Sequence, residues 1–225
     1  MDLTERAKQQ EGGYVGLPCT DLPRYQAFNS AFDHVRFPPG TAYRRLPGLS
    51  VAANMNAGIR LALESDKQWF WIMDDDHVFS DDLLIGLLER NVDIVTPLYL
   101  RRRAPFLPVL HGDASREYTR YNFNYLKGKS GLVDVTADGS LPTGGMLIRR
   151  HVLEGMEDPW FETGQIDSEY GSWDIYFCEK ARQAGFRLFV DTDNVMGHIT
   201  PVAIWPVCGE NGEWGFDIRQ VYESE

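Results

Sequence analysis

The chain has 225 residues, 43% of them hydrophobic and 24% charged, with a formal charge of −11 and a sequence pI near 4.9. That length sustains one sizeable core, and the composition is that of a globular protein rather than a disordered or fibrous one. The acidity argues against a long nucleic-acid footprint, which needs clustered Lys and Arg.

In chain order, the opening MDLTERAKQQEGG is polar and lacks the apolar run of a secretory leader. Gly13–Cys19 (GYVGLPC) reads as a short strand ending in a proline loop. Thr20–Gly48 gives mixed signals, with Pro38-Pro39-Gly40 as a firm turn. Leu49–Ser65 predicts a helix: Ser50 suits an N-cap, and Met55, Ile59 and Ala62 share one face. Gln68–Met73 is short, aromatic and continuously apolar, which predicts a buried strand. Ser80 is expected to cap the next helix, with Asp81 and Asp82 in its first turn and Leu83, Leu84, Leu87 and Leu88 on its apolar face. Val92–Leu100 predicts a strand bent by Pro97.

Further along, Arg101–Ser140 has weaker periodicity. It contains SREYTRYNFNY and predicts loops and an antiparallel hairpin, with a short strand at Val133–Val135 and a turn at Asp138-Gly139. Leu141–Arg150 predicts a strand entered by a tight glycine bend, Asp174–Ala184 a helix with Phe177, Ala181 and Ala184 on one stripe, and Phe186–Val190 a strand. From Thr192 onward no long element is expected. Strands alternating with helices imply an α/β fold with a mostly parallel sheet, flanking helices and a small antiparallel portion. Cys19, Cys178 and Cys208 lie far apart and form no CxxC pair, so free thiols in a reducing, cytoplasmic compartment are expected. No apolar run is long enough to span a bilayer.

Asp74, Asp75 and Asp76 follow the predicted buried strand directly. Parallel sheets place ligand sites at the carboxyl ends of their strands. In an extended segment Asp74 and Asp76 face one side and Asp75 the other. Paired carboxylate oxygens suit Mg²⁺ or Mn²⁺ and leave coordination positions for phosphate oxygens. The same acidic run also reads as a solvated loop. Arg101–Arg103 is either a solvated basic face or a contact for a small anion.

The segment WIMDDDHVFSDDLLIGLLE resembles the strand–DxD–helix unit of nucleotide-sugar-dependent glycosyltransferases of the GT-A fold, in the family-2-like group. TGGMLIRRHVLE resembles that family's glycine-rich strand behind the sugar site. SWDIYFCEKARQAGFRLFVDTDNVMGHI is similar to its carboxylate helix, last core strand and metal-binding histidine. The resemblance runs from about Val15 to Ile199. It implies one catalytic domain over residues 1–225, with 13–100 serving the nucleotide, 101–200 the sugar and acceptor, and 201–225 a tail.

Carried over by residue, the resemblance assigns Asp76 and His198 to the metal and Asp74 to the metal or its water. Asp74 and Asp75 also fall on the nucleotide side, together with Pro18, Thr20, Asp21 and Asn54. Thr143, Gly144 and Gly145 line the sugar. Asp174 is the implied base for the acceptor hydroxyl; the family's usual preceding carboxylate is here Trp173, and Glu169 is the alternative base. His77 matches no ligand position. The implied activity is Mn²⁺- or Mg²⁺-dependent transfer of a sugar from a UDP- or GDP-sugar to a hydroxyl acceptor, with inversion. Two alternatives stay open. One is a sugar-nucleotide nucleotidyltransferase, for which YVGLPCTDLP lacks the expected glycine-rich phosphate loop. The other is a non-catalytic carbohydrate- or protein-binding module using Trp160, Trp205 and Trp214 as aromatic platforms. Acceptor identity, the donor's sugar and base, inversion against retention, the role of the C-terminal tail and oligomeric state are left open by the residues.

Overall fold

The structure, a computed structural model, describes residues 1–19, 25–48, 50–103, 106–112, 126–166, 169–208, 210 and 213–220. Helix α1 (Leu3–Lys8) starts on Asp2, whose side chain accepts the Thr4 N–H at 2.7 Å. Strand β1 (Tyr14–Cys19), helix α2 (Gln26–His34) and strand β2 (Ala42–Pro47) follow. Helix α3 (Val51–Leu63) is capped by Ser50, which accepts the Ala53 N–H at 3.2 Å. It buries Met55, Ile59 and Ala62, the stripe read from the sequence. Then come β3 (Trp69–Ile72), β4 (His77–Val78), α4 (Leu83–Glu89) and β5 (Ile94–Leu98). The second half contributes β6 (His111–Gly112), β7 (Leu132–Asp134), β8 (Gly139–Ser140), β9 (Leu147–Arg149), α5 (Arg150–Glu154), β10 (Gly164–Ile166) and β11 (Glu169–Gly171). It closes with α6 (Trp173–Gln183), β12 (Leu188–Val195), β13 (Gly197–His198), β14 (Val202–Cys208) and β15 (Trp214–Gln220).

The central sheet has seven strands in the order β2–β1–β3–β9–β5–β12–β7. β1 pairs parallel with β2 and β3, β5 pairs parallel with β12, and β9 is antiparallel to both β3 and β5. Five strands therefore share one direction, while β9 and β7 oppose it. Alternation along each strand divides the core. Phe70, Ile72, Ile94 and Ile148 join one cluster with α3, α5 and α6, whereas Trp69, Trp71, Val95 and Leu147 join another with α2 and α4. Both faces of β3 are thus covered, which explains its unbroken apolar run.

Several expectations are corrected. The helix after the acidic run begins at Leu83 with Asp82 as its cap, because Ser80 donates to Asp82 Oδ1 at 2.7 Å instead of capping the helix itself. Ala184 is the exposed C-cap of α6 rather than part of its stripe, although Gly185 does take the left-handed φ of +87° expected after it. Residues after Thr192 are not featureless: β12 runs to Val195, and β14 and β15 form a seven-pair antiparallel hairpin. Within Arg101–Ser140, β6 and β8 pair antiparallel, while SREYTRYNFNY lies outside the described residues. No helix among the described residues is long and apolar enough to cross a membrane.

Candidate metal and donor site

The sheet brings distant segments to one end. The carboxyl ends of β3, β5 and β12 lead into Asp74–Asp76, Tyr99–Arg102 and His198, and antiparallel β9 enters from Gly144-Gly145 at the same end. Just after β3 the chain turns at Asp75-Asp76 and starts β4, which pairs antiparallel with β13 in a register that opposes His77 to His198. That pairing places two imidazoles side by side. Their rings stack at 4.6 Å with 19° between planes, and Tyr99 stands edge-on to both.

Asp76, His77 and His198 each offer a ligand atom, all within 4.8 Å of one another. His198 Nδ1 lies 2.9 Å from the Leu100 carbonyl oxygen. A carbonyl only accepts, so Nδ1 carries the hydrogen and, in the neutral ring, Nε2 presents its lone pair. That lone pair faces Asp76 Oδ2 at 3.3 Å. Two acceptors at that distance need a proton or a cation between them. This is the donor set and outer hydrogen bond of a histidine–carboxylate metal seat. His77 Nδ1 is 3.2 Å from Asp76 Oδ1, yet neither buried ring nitrogen has an aligned hydrogen-bond partner. His77, stacked on His198 and 3.2 Å from Asp76, is the third member of this cluster. The residues fit a divalent cation.

The two flanking carboxyls are driven apart electrostatically. Burial pushes Asp74 up to about 6, with the Asp76 charge adding to the rise and His77 opposing it. Burial also disfavours the Asp76 anion, but contact with His198 and His77 and their charge outweighs it and holds that carboxyl far below its usual range. Asp76 is therefore the standing anion, and Asp74 is not among the three converging donors. Burial raises the Tyr99 hydroxyl well above its usual value, and the charges of Asp74, Asp174 and Asp76 add to it. Tyr99 and Asp174 thus belong to one electrostatic neighbourhood.

Asp174 sits in the first turn of α6, half-buried, and its Oδ1 receives the Ser172 hydroxyl and the Ile175 N–H. The neighbouring Trp173 donates Nε1–H to Thr143 Oγ1 at 3.4 Å, tying this helix to the glycine bend. At that bend a Cβ on Gly144 would lie 2.7 Å from Tyr99 Oη and 2.8 Å from His77 Cε1, so only glycine admits this approach. Gly145 has φ +73°, and its carbonyl accepts the Trp71 indole N–H at 3.0 Å. Pro18 is buried near the end of β1, Asp75 is buried, and Asn54 packs its amide against Gly48. Thr20 and Asp21 lie outside the described residues, as does the Glu169 side chain. Trp160 cannot serve as a sugar platform: it is 5% exposed and its indole N–H is bonded to the Leu153 carbonyl.

Tyr99 went unassigned in the sequence, Arg102 was read only as part of a basic run facing solvent or a small anion, and His77 was given no ligand role. Tyr99 and Arg102 follow β5, and the rule that located Asp74 at a strand's carboxyl end applies to them equally. His77 matched no known ligand position; only its register with His198 brings it to the seat.

No protein-family model matches the sequence, and no curated protein matches it. Solved structures do. A197 from STIV superposes with a TM-score of 0.57 at 15% identity, covering 95% of this chain and 98% of that one. GalNAc-T7 with UDP, GalNAc and Mn²⁺ gives 0.52 at 13% identity, covering 84% of this chain and 44% of that one. TarS 1–349 of S. aureus in complex with UDP-GlcNAc gives 0.51 at 12%, covering 83% and 58%. The chain thus spans about half the length of the latter two, which are GT-A glycosyltransferases. At these identities the likeness shows the fold: a GT-A α/β sheet of mostly parallel strands flanked by helices.

Proposed function

We propose that the chain is a metal-dependent glycosyltransferase, moving a sugar from a UDP- or GDP-sugar to an acceptor hydroxyl with inversion. The observation that carries this reading is the approach of His198 Nε2 to Asp76 Oδ2 at 3.3 Å, at the carboxyl end of the parallel strands. Similarity of fold to a protein solved with UDP, GalNAc and Mn²⁺ supports it.

Asp76 and His198 would hold Mn²⁺ or Mg²⁺, with imidazole favouring Mn²⁺. When bound, the cation supplies positive charge to the diphosphate as it leaves. Asp74 and Asp75 are assigned to the nucleotide, with Pro18, Thr20, Asp21 and Asn54 along the first strands. Gly144 and Gly145 let backbone approach the sugar where a Cβ would not fit. Asp174 takes the acceptor proton. Among the described residues the Ser172 hydroxyl and the Ile175 N–H both bond to Oδ1, and Oδ2 is assigned the proton. As the acceptor oxygen bonds to the anomeric carbon, the electron pair of the breaking C–O bond stays with the diphosphate. Residues 13–100 would serve the nucleotide and 101–200 the sugar and acceptor.

The test is a screen of nucleotide-sugar hydrolysis with UDP, GDP, CMP and dTDP donors, with and without Mn²⁺. Turnover of a UDP- or GDP-sugar is expected only with metal. It should fall at least about 100-fold in Asp76→Ala, whose fold is checked by circular dichroism. Full activity of that variant would end the metal role. Pyrophosphate released from a nucleoside triphosphate would favour nucleotidyl transfer instead.

A further inference from the structure

Strand β2 ends the central sheet on one side, and among the described residues no strand pairs with its outer edge. The strand at the opposite edge, β7, has three residues, whereas β2 has six and runs in full register with β1. Backbone N–H and C=O groups alternate in direction along a strand. The Ala42 N–H donates to the Gly13 carbonyl at 2.9 Å, so the backbone groups of Tyr43 and Arg45 point away from β1. Tyr43, Arg44 and Arg45 are all exposed, Tyr43 at 62%. The Tyr43 ring stands edge-on to Phe32 of α2, with centroids 5.5 Å apart. Arg45 donates Nη2–H to the neutral Asn29 amide at 3.0 Å, and among the described residues no ion pair joins Arg44 or Arg45.

An open ladder edge with an exposed ring beside it is a template for another extended segment. Charge decides which one. Both charged residues of β2 are arginines, in a chain whose formal charge is −11. A second copy is disfavoured, because the antiparallel pairing that uses both Tyr43 and Arg45 sets Arg44 against its own copy. The same arginines favour acidic side chains on a neighbouring strand. Arg44 and Arg45 lie on opposite faces, so they call for two consecutive acidic residues, and Tyr43 for a β-branched or aromatic residue beside them. We propose that the β2 edge docks an acidic extended segment of a partner protein as an eighth strand, recognised by adjacent carboxylates next to a β-branched residue. The docking uses no residue of the proposed donor site.

The test is fluorescence anisotropy with the labelled hexapeptides TVEEVT and TVKKVT, together with amide hydrogen exchange on the whole chain. Both peptides read the same in either strand direction. TVEEVT should bind the wild type at least about tenfold more tightly than TVKKVT does, and should weaken as salt is added. Its binding should slow exchange at the Tyr43 and Arg45 amides. N-methylation throughout the peptide backbone keeps the charges and should abolish binding. The double variant Arg44→Glu, Arg45→Glu should reverse the preference and take TVKKVT. Equal binding of the two peptides, or binding of neither, overturns the proposal. So does TVEEVT binding that leaves those amides unprotected or survives N-methylation, since charge alone then holds the peptide. A wild-type dimer whose Tyr43 and Arg45 amides are protected without peptide would give the edge to a second copy, and would overturn it too.

Discussion

Asp74 and Asp76 are two residues apart and have opposite electrostatic fates, which makes their behaviour with pH separable. Asp74 is raised from 3.8 to about 6 by burial and by its neighbour's charge. A carboxyl whose folded pKa lies above its unfolded value is destabilising when ionised. The penalty is absent below about pH 4, grows as pH rises through the window to about 6, and is fully present above it. In the metal-free protein Asp74→Asn should therefore raise the melting temperature at pH 7.5, by an amount corresponding to on the order of 1–3 kcal/mol. The gain should vanish near pH 4. An Asp74→Asn melting temperature equal to wild type at both pH values would contradict that placement of the carboxyl. Asp174 offers a kinetic counterpart. Asp174→Asn should lower transfer to the acceptor by about 100-fold to 10,000-fold while UDP or GDP binding by calorimetry stays within a factor of three. Weaker nucleotide binding with unchanged turnover would assign Asp174 to the donor rather than to the proton. Gly144→Ala forces a Cβ against Tyr99 Oη and His77 Cε1, so Mn²⁺ affinity should drop together with stability.

Between residue and site stands the end of β12. Its pairing with β5 slips between Asp191 and Val195, and the slip is organised by the Asp191 carboxylate, which is fully buried. That group accepts Arg90 Nε–H and Nη2–H at 2.7 and 2.9 Å, Asn194 Nδ2–H at 2.6 Å, and the N–H of Asp193 and Asn194. Met196 then returns to the ladder through its N–H on the Leu98 carbonyl, two residues before His198. Bulges of this kind re-aim a strand end toward a site. Asp191→Ala removes the buried carboxylate shared by Arg90 and three further N–H donors, so denaturant unfolding should show a loss of about 3–5 kcal/mol. A loss under about 1 kcal/mol would mean that the bulge holds without it. How far elements were legible follows from how much of their burial is local. α3 announces itself through a cap and a one-sided stripe, and β3 through an unbroken apolar run. α2 buries Phe28 and Phe32, one helical turn apart, and β2 only Leu46, so Thr20–Gly48 carries few apolar markers and these were not read as elements. β14 contains Pro206 and, among the described residues, pairs with β15 in a sheet separate from the central one.

At the scale of the whole molecule, the site exists because strands adjacent in space are remote in sequence. Asp76 and His198 are 122 residues apart, and the order β3–β9–β5–β12 is what lets their strand ends converge. Asp76 was visible in the sequence because charge follows an apolar strand there. His198 was reached by resemblance, and the stacking of His77 on it depends on a register that no local pattern encodes. The contact of Arg102 Nη1 with Asp76 Oδ2, at 3.1 Å, likewise depends on β5 ending beside β4 and β13. Because the donor groups come from separate strand ends, ligation should stabilise the fold as a unit: Mn²⁺ with UDP or GDP at 100 times its dissociation constant adds about 2.7 kcal/mol. The most direct test of the central claim is an anomalous difference map from crystals soaked with Mn²⁺ and UDP or GDP. The account predicts a manganese peak bonded to both Asp76 and His198 Nε2 and touching the diphosphate. A peak elsewhere, or a nucleotide bound with those two side chains too far apart to share one ion, would contradict it.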